Sequence, residues 1–443
     1  MAVKFLITIG VLLVLIGLFF NQWTINYFLT PNGNLSIYTI SLIWLFDISC
    51  VCIGFVFLSR RNTWKIKQCC FFLFSIIFFL IVIETALHLI EYISNSFNTP
   101  SIDKRLSLSV YENKKWAEEY WNEYKESFSN GFFRSYLDFD LKPYEGKWIN
   151  IDKNGNRKTW NPAFSDKDDF KTLYTFGGST LWGVGARDDY TIPSHLSKLL
   201  NQNGSNFIVK NFGEQTYTFT KELIQLILLL RKGHTPDFLI FYDGVNDVYE
   251  AYQTKKAGEF YIEKLINEKL EQKIKLINLA KLKDFPEKLI IVRIIAKLIT
   301  YFKPQEKFQE AASKFSDEEL NSLSQEIGDY YKASYKMLDT LSKAYNFQYL
   351  CFWQPVFFTE SNFTKEEAMC DIRCSDTTLK SLFKKTNNIL MDNLYPNFYN
   401  ISDCLTKREN SFYIDCNHLS EEGNSVVAKK IFTILDNQYL KKD

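Results

Sequence analysis

The chain has 443 residues, 46% of them hydrophobic and 16% aromatic, and its 52 Lys and Arg almost cancel its 51 Asp and Glu, leaving a net charge of +1. That balance supplies no global field for nucleic acid or for partners recognised by bulk charge, so those are set aside. The length leaves room for a membrane portion and one or two soluble domains.

Residues 1–95 read as a membrane portion. Phe5 to Phe20 is an apolar run after Lys4 that reaches spanning length if Trp23, Ile25 and Tyr27 to Leu29 extend it. A signal peptide is the alternative, although no small-x-small cleavage site follows and Asn21-Gln-Trp23 looks interfacial. Ile37 to Leu58 and Cys70 to Ile90 are each about 20 mostly apolar residues, the length that crosses a hydrocarbon core of roughly 30 Å. Three spans are expected, over about 5–28, 37–58 and 70–92. The connection after the second carries Arg60, Arg61, Lys65 and Lys67, whereas 21–36 has no Lys or Arg, so the basic loop is expected inside and everything after Ser94 outside. Asp47 and Glu84 fall within these runs, where a carboxylate marks function by default. Glu84 and His88 share one helix face and can instead satisfy each other.

Residues 96–170 form a connecting segment. Val110 to Phe128 places Trp116, Tyr120, Trp121 and Tyr124 at helical spacing among charges, predicting an amphipathic helix whose aromatic stripe faces a core. Residues 147–160 read as a β-hairpin around Asn154-Gly155, since Asn-Gly accepts the positive φ of a tight turn. No chemistry is visible there.

From residue 171 to 443 short buried strands alternate with helical periods. Strands are expected at 172–177, 206–212, 237–242, 349–353 and 398–401, and helices at 192–200, 219–231, 316–345, 377–394 and 425–435. That alternation indicates a parallel α/β sheet flanked by helices. Residues 255–315 interrupt the rhythm and read as a helical insertion, with a lid or membrane-contacting role as the alternative to ordinary packing.

Thr172 to Thr180 (TLYTFGGST) runs an apolar strand into two glycines and Ser179, so the hydroxyl stands at a strand's carboxyl end, where open α/β sheets bind ligands. A serine nucleophile needs a base, an acid to orient it and donors for an oxyanion. Only His195, His234 and His418 lie outside the membrane portion. His195 falls within a helix and His234 follows a helix-ending glycine. His418 stands in Asp415-Cys-Asn-His418, just before the last helix.

These residues resemble the SGNH (GDSL-type) hydrolases in four ordered blocks: Gly-Gly-Ser179-Thr, Asn-Phe-Gly213, Gly-Val-Asn246-Asp and Asp415-x-x-His418. The resemblance implies a flavodoxin-like parallel sheet, Ser179 as nucleophile, His418 as base and Asp415 as its partner, with the Ser179 and Gly213 amides and the Asn246 side chain forming an oxyanion hole. Gly178 departs from the family's usual Asp, a position outside the triad. The G-x-S-x-G elbow of the larger α/β-hydrolases is absent, since Leu181 occupies the second glycine's place. Gln354-Pro355 extends the resemblance weakly, without a derivable role.

The expected function is a membrane-anchored ester hydrolase working through an acyl-enzyme on an acylated small molecule, lipid or envelope glycan. Transfer of the acyl group to a second alcohol is one alternative, and a non-catalytic glycan-binding or envelope-assembly protein on the same fold is another. No metal or other cofactor is expected, because no Cys/His arrangement has ligand spacing. In an oxidising compartment Cys370 with Cys374, and Cys404 with Cys416, are the expected disulfides, with buried free thiols as the alternative.

Overall fold

The computed structural model describes residues 2–19, 37–60, 68, 103–163, 169–202, 206–261, 315–359, 372–391, 395–406 and 411–440. Two compact units divide the chain, one of Met1–Ser101 with Leu265–Lys307 and one of Ile102–Lys264 with Phe308–Asp443.

In the first unit helices α1 (Ala2–Phe19) and α2 (Ile37–Arg60) pack side by side. They run antiparallel, because a Cβ added to Gly10 would come within 2.9 Å of the Gly54 carbonyl and one added to Gly17 within 2.7 Å of the Asp47 carbonyl. Glycines let two backbones approach to that degree. Among the described residues no helix is long and apolar enough to cross a membrane. The expectation of three spans is corrected to that extent. The 18 residues of α1 reach about 27 Å at the α-helical rise, short of a hydrocarbon core of roughly 30 Å. Helix α2 has 24 residues but carries Asp47 among Thr39, Ser41 and Ser49. The run expected at 70–92, with Glu84 and His88, lies outside the described residues, as does most of the expected insertion 255–315.

The second unit begins with helix α3 (Ala117–Ser129) and two small antiparallel pairs, β1 (Gly131–Phe132) with β2 (Asp140–Leu141) and β3 (Tyr144–Glu145) with β4 (Asn150–Ile151). The predicted Asn-Gly turn is present: Asp152 N–H donates to the Asn156 carbonyl at 2.9 Å, and Gly155 has φ +87°. The β1–β2 pair has no counterpart in the sequence reading, since two-residue strands leave no alternation to detect.

There follow β5 (Lys171–Gly177), α4 (Ser179–Trp182), α5 (Ile192–Gln202), β6 (Phe207–Asn211), α6 (Phe219–Leu230), β7 (Phe238–Asp243) and α7 (Val245–Thr254). The chain is completed by α8 (Asp317–Tyr345), β8 (Gln348–Trp353), α9 (Thr377–Met391), β9 (Phe398–Asn400) and α10 (Glu421–Leu435). Helix α8 starts where Ser316 and Glu319 form a reciprocal capping box and ends at Asn346 in the left-handed region, φ +57°.

The sheet has the order β6-β5-β7-β8-β9, every neighbour parallel. This is the flavodoxin-like order expected from the family resemblance. Helix α5 packs with α10, while α6, α7, α8 and α9 contact one another, so helices cover both faces and strands such as β7 are buried throughout. The chain leaves β5 towards β6 on one side and returns to β7 on the other. The crevice at that reversal, beyond the carboxyl ends of β5 and β7, is where such sheets take ligands.

Candidate active site

Strand β5 ends at Gly177, and Ser179 opens α4, so its N–H lies in the first turn where no intrahelical acceptor exists. Gly178 between them admits no side chain, because a Cβ there would collide with Asn246 Nδ2. From the neighbouring strand, Gly244 takes φ +122° with a Cβ position 2.7 Å from the Trp353 ring, and this turn sets Asn246 into the first turn of α7 beside Gly178.

The histidine arrives from residues 411–420. Ile414 N–H donates to the His418 carbonyl at 3.0 Å, and Asp415 Oδ1 accepts from the backbone N–H of both Asn417 (3.0 Å) and His418 (2.8 Å). The other carboxylate oxygen of Asp415 lies 2.6 Å from His418 Nδ1, and His418 Nε2 lies 2.8 Å from Ser179 Oγ. Burial acts to raise the Asp415 carboxyl, but the imidazole and the two backbone donors outweigh it and hold the group well below the usual carboxylate range. The carboxylate is therefore ionised at neutral pH, and it fixes the proton on Nδ1, leaving Nε2 to accept from Ser179.

The structure thus brings Ser179, His418, Asp415 and Asn246 together. Gly213 stands close by, its Cβ position 2.6 Å from Trp182 N, but its N–H donates to Asn211 Oδ1 at 2.9 Å. Asn246 Nδ2 donates one proton to the Tyr217 carbonyl at 2.6 Å, and an amide nitrogen carries a second. His195 lies in α5 edge-on to Tyr190, where burial and the nearby Lys198 charge lower it to about 4. His234 lies away from Ser179, in a cavity beside β1 and β2.

The disulfide expectation is corrected. Cys416 is bridged to Cys374, with a Cα–Cα distance of 5.5 Å, and not to Cys404; Cys370 lies outside the described residues. The same bridge excludes Cys370–Cys374. The segment before α9 lies next to the histidine loop, and Cys374 reaches it across 42 residues of sequence, a proximity that spacing does not reveal.

Other site-forming residues also escaped sequence reasoning. Arg157, 2% exposed, pairs with Asp188 at 3.0 Å and donates to the carbonyls of Trp182, at the end of α4, and of Gly183 and Ala186 in the loop after it. Tyr111 OH donates to the Gly185 carbonyl (2.9 Å), and Gly185 N–H donates to Tyr120 OH (2.7 Å). The aromatic stripe of α3 is therefore core, as its spacing predicts, and that core includes Trp182, Val184 and Ile414 from the loops bearing Ser179 and His418. Thr180 Oγ1 donates to Gln354 Oε1 at 3.2 Å, which gives Gln354 a place against the nucleophile's turn.

Under Asn246 lies an acidic group. Burial pushes the carboxyls of Glu222 and Asp243 far above the usual carboxylate range. Asp247 is pushed up to about 7, again by burial first.

A fold with this strand order, a serine at the end of its first strand and a histidine held by Asp415 defines a class, and comparison with known families agrees with it. Residues 173–431, more than half of the chain, match the GDSL-like lipase/acylhydrolase family. The chain belongs to that family and is an esterase or acyl-ester hydrolase. No curated protein matches it. Among solved structures it is similar to the acetyl xylan esterase AlAXEase, at 12% identity over 60% of this chain and 99% of that one, TM-score 0.33. It is also similar to TesA, at 12% over 60% and 99%, TM-score 0.31, and to Axe2, an acetylxylan esterase from Geobacillus stearothermophilus, at 14% over 59% and 93%, TM-score 0.31.

Proposed function

We propose that the protein is a membrane-anchored serine ester hydrolase that cleaves an acyl ester of an envelope glycan or lipid through Ser179, His418 and Asp415. The observation that carries this reading is the unbroken chain of contacts from Ser179 Oγ to His418 Nε2 (2.8 Å) and from Nδ1 to Asp415 (2.6 Å).

In the first half-reaction Ser179 Oγ bonds to the acyl carbon while its proton passes to His418 Nε2, and the carbonyl electron pair moves onto oxygen. Collapse of the tetrahedral species expels the alcohol, which leaves with the proton from His418. Water then gives its proton to His418 and attacks the acyl-enzyme, and Ser179 departs with that proton as the carboxylic acid forms. The oxyanion is met by the Ser179 N–H and the second amide proton of Asn246. Gly213 joins them only by giving up its bond to Asn211 Oδ1.

Anchoring is supported by the pairing of α1 and α2. Their contact is made at Gly10, Gly17 and Gly54, while Leu12, Leu18, Ile48 and Phe55 are each more than half exposed. Glycines at the closest approaches, Leu6 and Phe57 buried in the contact, and large apolar side chains on the outside suit a lipid surround. If the apolar run 70–92 forms a further span, the basic residues 60–67 favour a cytoplasmic loop and a catalytic unit on the opposite side. Resistance of the full chain to carbonate extraction from membranes tests the anchor, and release into the soluble fraction removes it.

The catalytic reading is tested by a fluorophosphonate probe on the full-length protein. Ser179 is expected to label, and His418→Ala to abolish labelling. Absence of labelling in the wild-type protein, with an esterase control labelled alongside, overturns the reading.

A further inference from the structure

A cavity of about 450 Å³ lies apart from Ser179, between the β1–β4 segment and the β5, β6 and α6 side of the sheet, and none of the proposed catalytic residues lines it. Its wall includes Arg134, Lys153, Lys210 and Lys232, four cations against the two carboxylates Asp140 and Asp152. Arg134 is already paired with Asp140. Asp152 is occupied as the acceptor for the Asn154 and Asn156 N–H groups, at 2.8 and 2.9 Å. Lys153, Lys210 and Lys232 have no ion pair among the described residues, and Lys210 rests with Nζ 5.3 Å from the Tyr174 ring. The near-neutral chain thus carries a local field that its net charge conceals.

The remaining lining narrows the ligand. Gln225, only 6% exposed, borders the cavity, and its Oε1 has no hydrogen-bond donor among the described residues. A ligand hydroxyl both donates and accepts and so satisfies either orientation of that amide, whereas a purely accepting anion satisfies one. Phe132, 41% exposed, adds an apolar face at the same cavity. The volume lies in the range of small-ligand sites and far exceeds the roughly 30 Å³ that one water occupies, so a bare inorganic anion leaves most of it unfilled.

We propose that this cavity binds a short stretch of an acidic sugar chain. Its carboxylates face Lys153, Lys210 and Lys232, a hydroxyl meets Gln225, and a pyranose face lies on Phe132. The site stands independently of the ester chemistry, since it uses none of the same residues.

The test is calorimetric titration of the full-length protein in detergent with a short oligogalacturonate, with neutral xylo-oligosaccharide of equal length, and with inorganic polyphosphate. Oligogalacturonate is expected to bind at least tenfold more tightly than either of the others. Lys153→Glu combined with Lys232→Glu is expected to weaken it tenfold or more while p-nitrophenyl acetate hydrolysis stays unchanged, and Gln225→Leu to weaken oligogalacturonate but not polyphosphate. Equal binding of the neutral sugar, or polyphosphate bound as tightly as the uronate, overturns the proposal. If the charge reversals disturb folding, the wild-type preference decides alone: less than tenfold selectivity for the uronate over both controls overturns it.

Discussion

The two halves of the candidate site are fixed in different ways. The turn bearing Ser179 is short, and it and the loop after it are held by groups distant in sequence: Arg157 donates to three of their carbonyls, and Tyr111 and Tyr120 clamp Gly185. The turn bearing His418 is largely self-contained. Asp415 accepts from two backbone donors and the imidazole of its own turn, and Cys374–Cys416 ties that turn to the segment before α9. The nucleophile's side therefore depends on a buried ion pair, and the histidine's side on a covalent link.

The largest expected effect tests whether the halves act as one unit. Ser179→Ala and His418→Ala are each expected to lower ester turnover by about 10⁴ or more, and the double variant to cost little beyond either, because one proton transfer needs both. Near-additive losses in steady-state rates break the pairing.

Next in size is the ion pair. Arg157→Met leaves Asp188 buried without its guanidinium, and losing one partner of such a pair costs about 3–5 kcal/mol. Urea unfolding is expected to show that loss, with partial recovery when Asp188→Leu is added. A loss below about 1 kcal/mol would make the clamp a surface-grade interaction.

The covalent link is expected to contribute slightly less. Cys374 and Cys416 are separated by 42 positions, for which the chain-entropy argument gives about 4 kcal/mol and measured bridges more often about 2–4 kcal/mol. Cys374→Ser should lower the melting temperature while the variant, whose Asp415–His418 turn is still held by its own hydrogen bonds, keeps measurable esterase activity. Alkylation of both cysteines in unreduced, denatured protein would remove the bridge and its share of the comparison.

The smallest effect separates the histidine's carboxylate from the one under Asn246. Asp415 is depressed by His418, so it supports folding at neutral pH, and that support is lost progressively as the pH falls below the usual carboxylate range. Asp247 is pushed from 3.8 to about 7, so its contribution is complete below pH 4 and declines as the pH rises through 7. Asp247→Asn is expected to flatten the fall in stability between about pH 4 and 7 in urea titrations. An unchanged slope assigns that fall to Glu222 and Asp243, whose carboxyls are raised in the same direction.

Much of the fold was legible because the signals are local. The buried strands at 172–177 and 237–242 and the period over 316–345 are read from neighbouring residues, and β5, β7 and α8 follow them closely. Ser179 was legible for the same reason, as a hydroxyl directly after a strand and two glycines. The β1–β2 pair was not, being too short to carry a period.

By itself the sequence determined the α/β alternation, the serine turn and the Asp415-x-x-His418 turn, since each is dictated by side chains within a few positions of one another. Only the tertiary structure decided that Cys416 pairs with Cys374, that Gly213 N–H is engaged by Asn211, that Arg157 braces the loop after Ser179, and that lysines 153, 210 and 232 share one cavity. Most of these contacts join segments that come together only when the strands take the order β6-β5-β7-β8-β9 and the 103–163 segment packs over their ends. Proximity of that kind arises from packing, which no local spacing encodes.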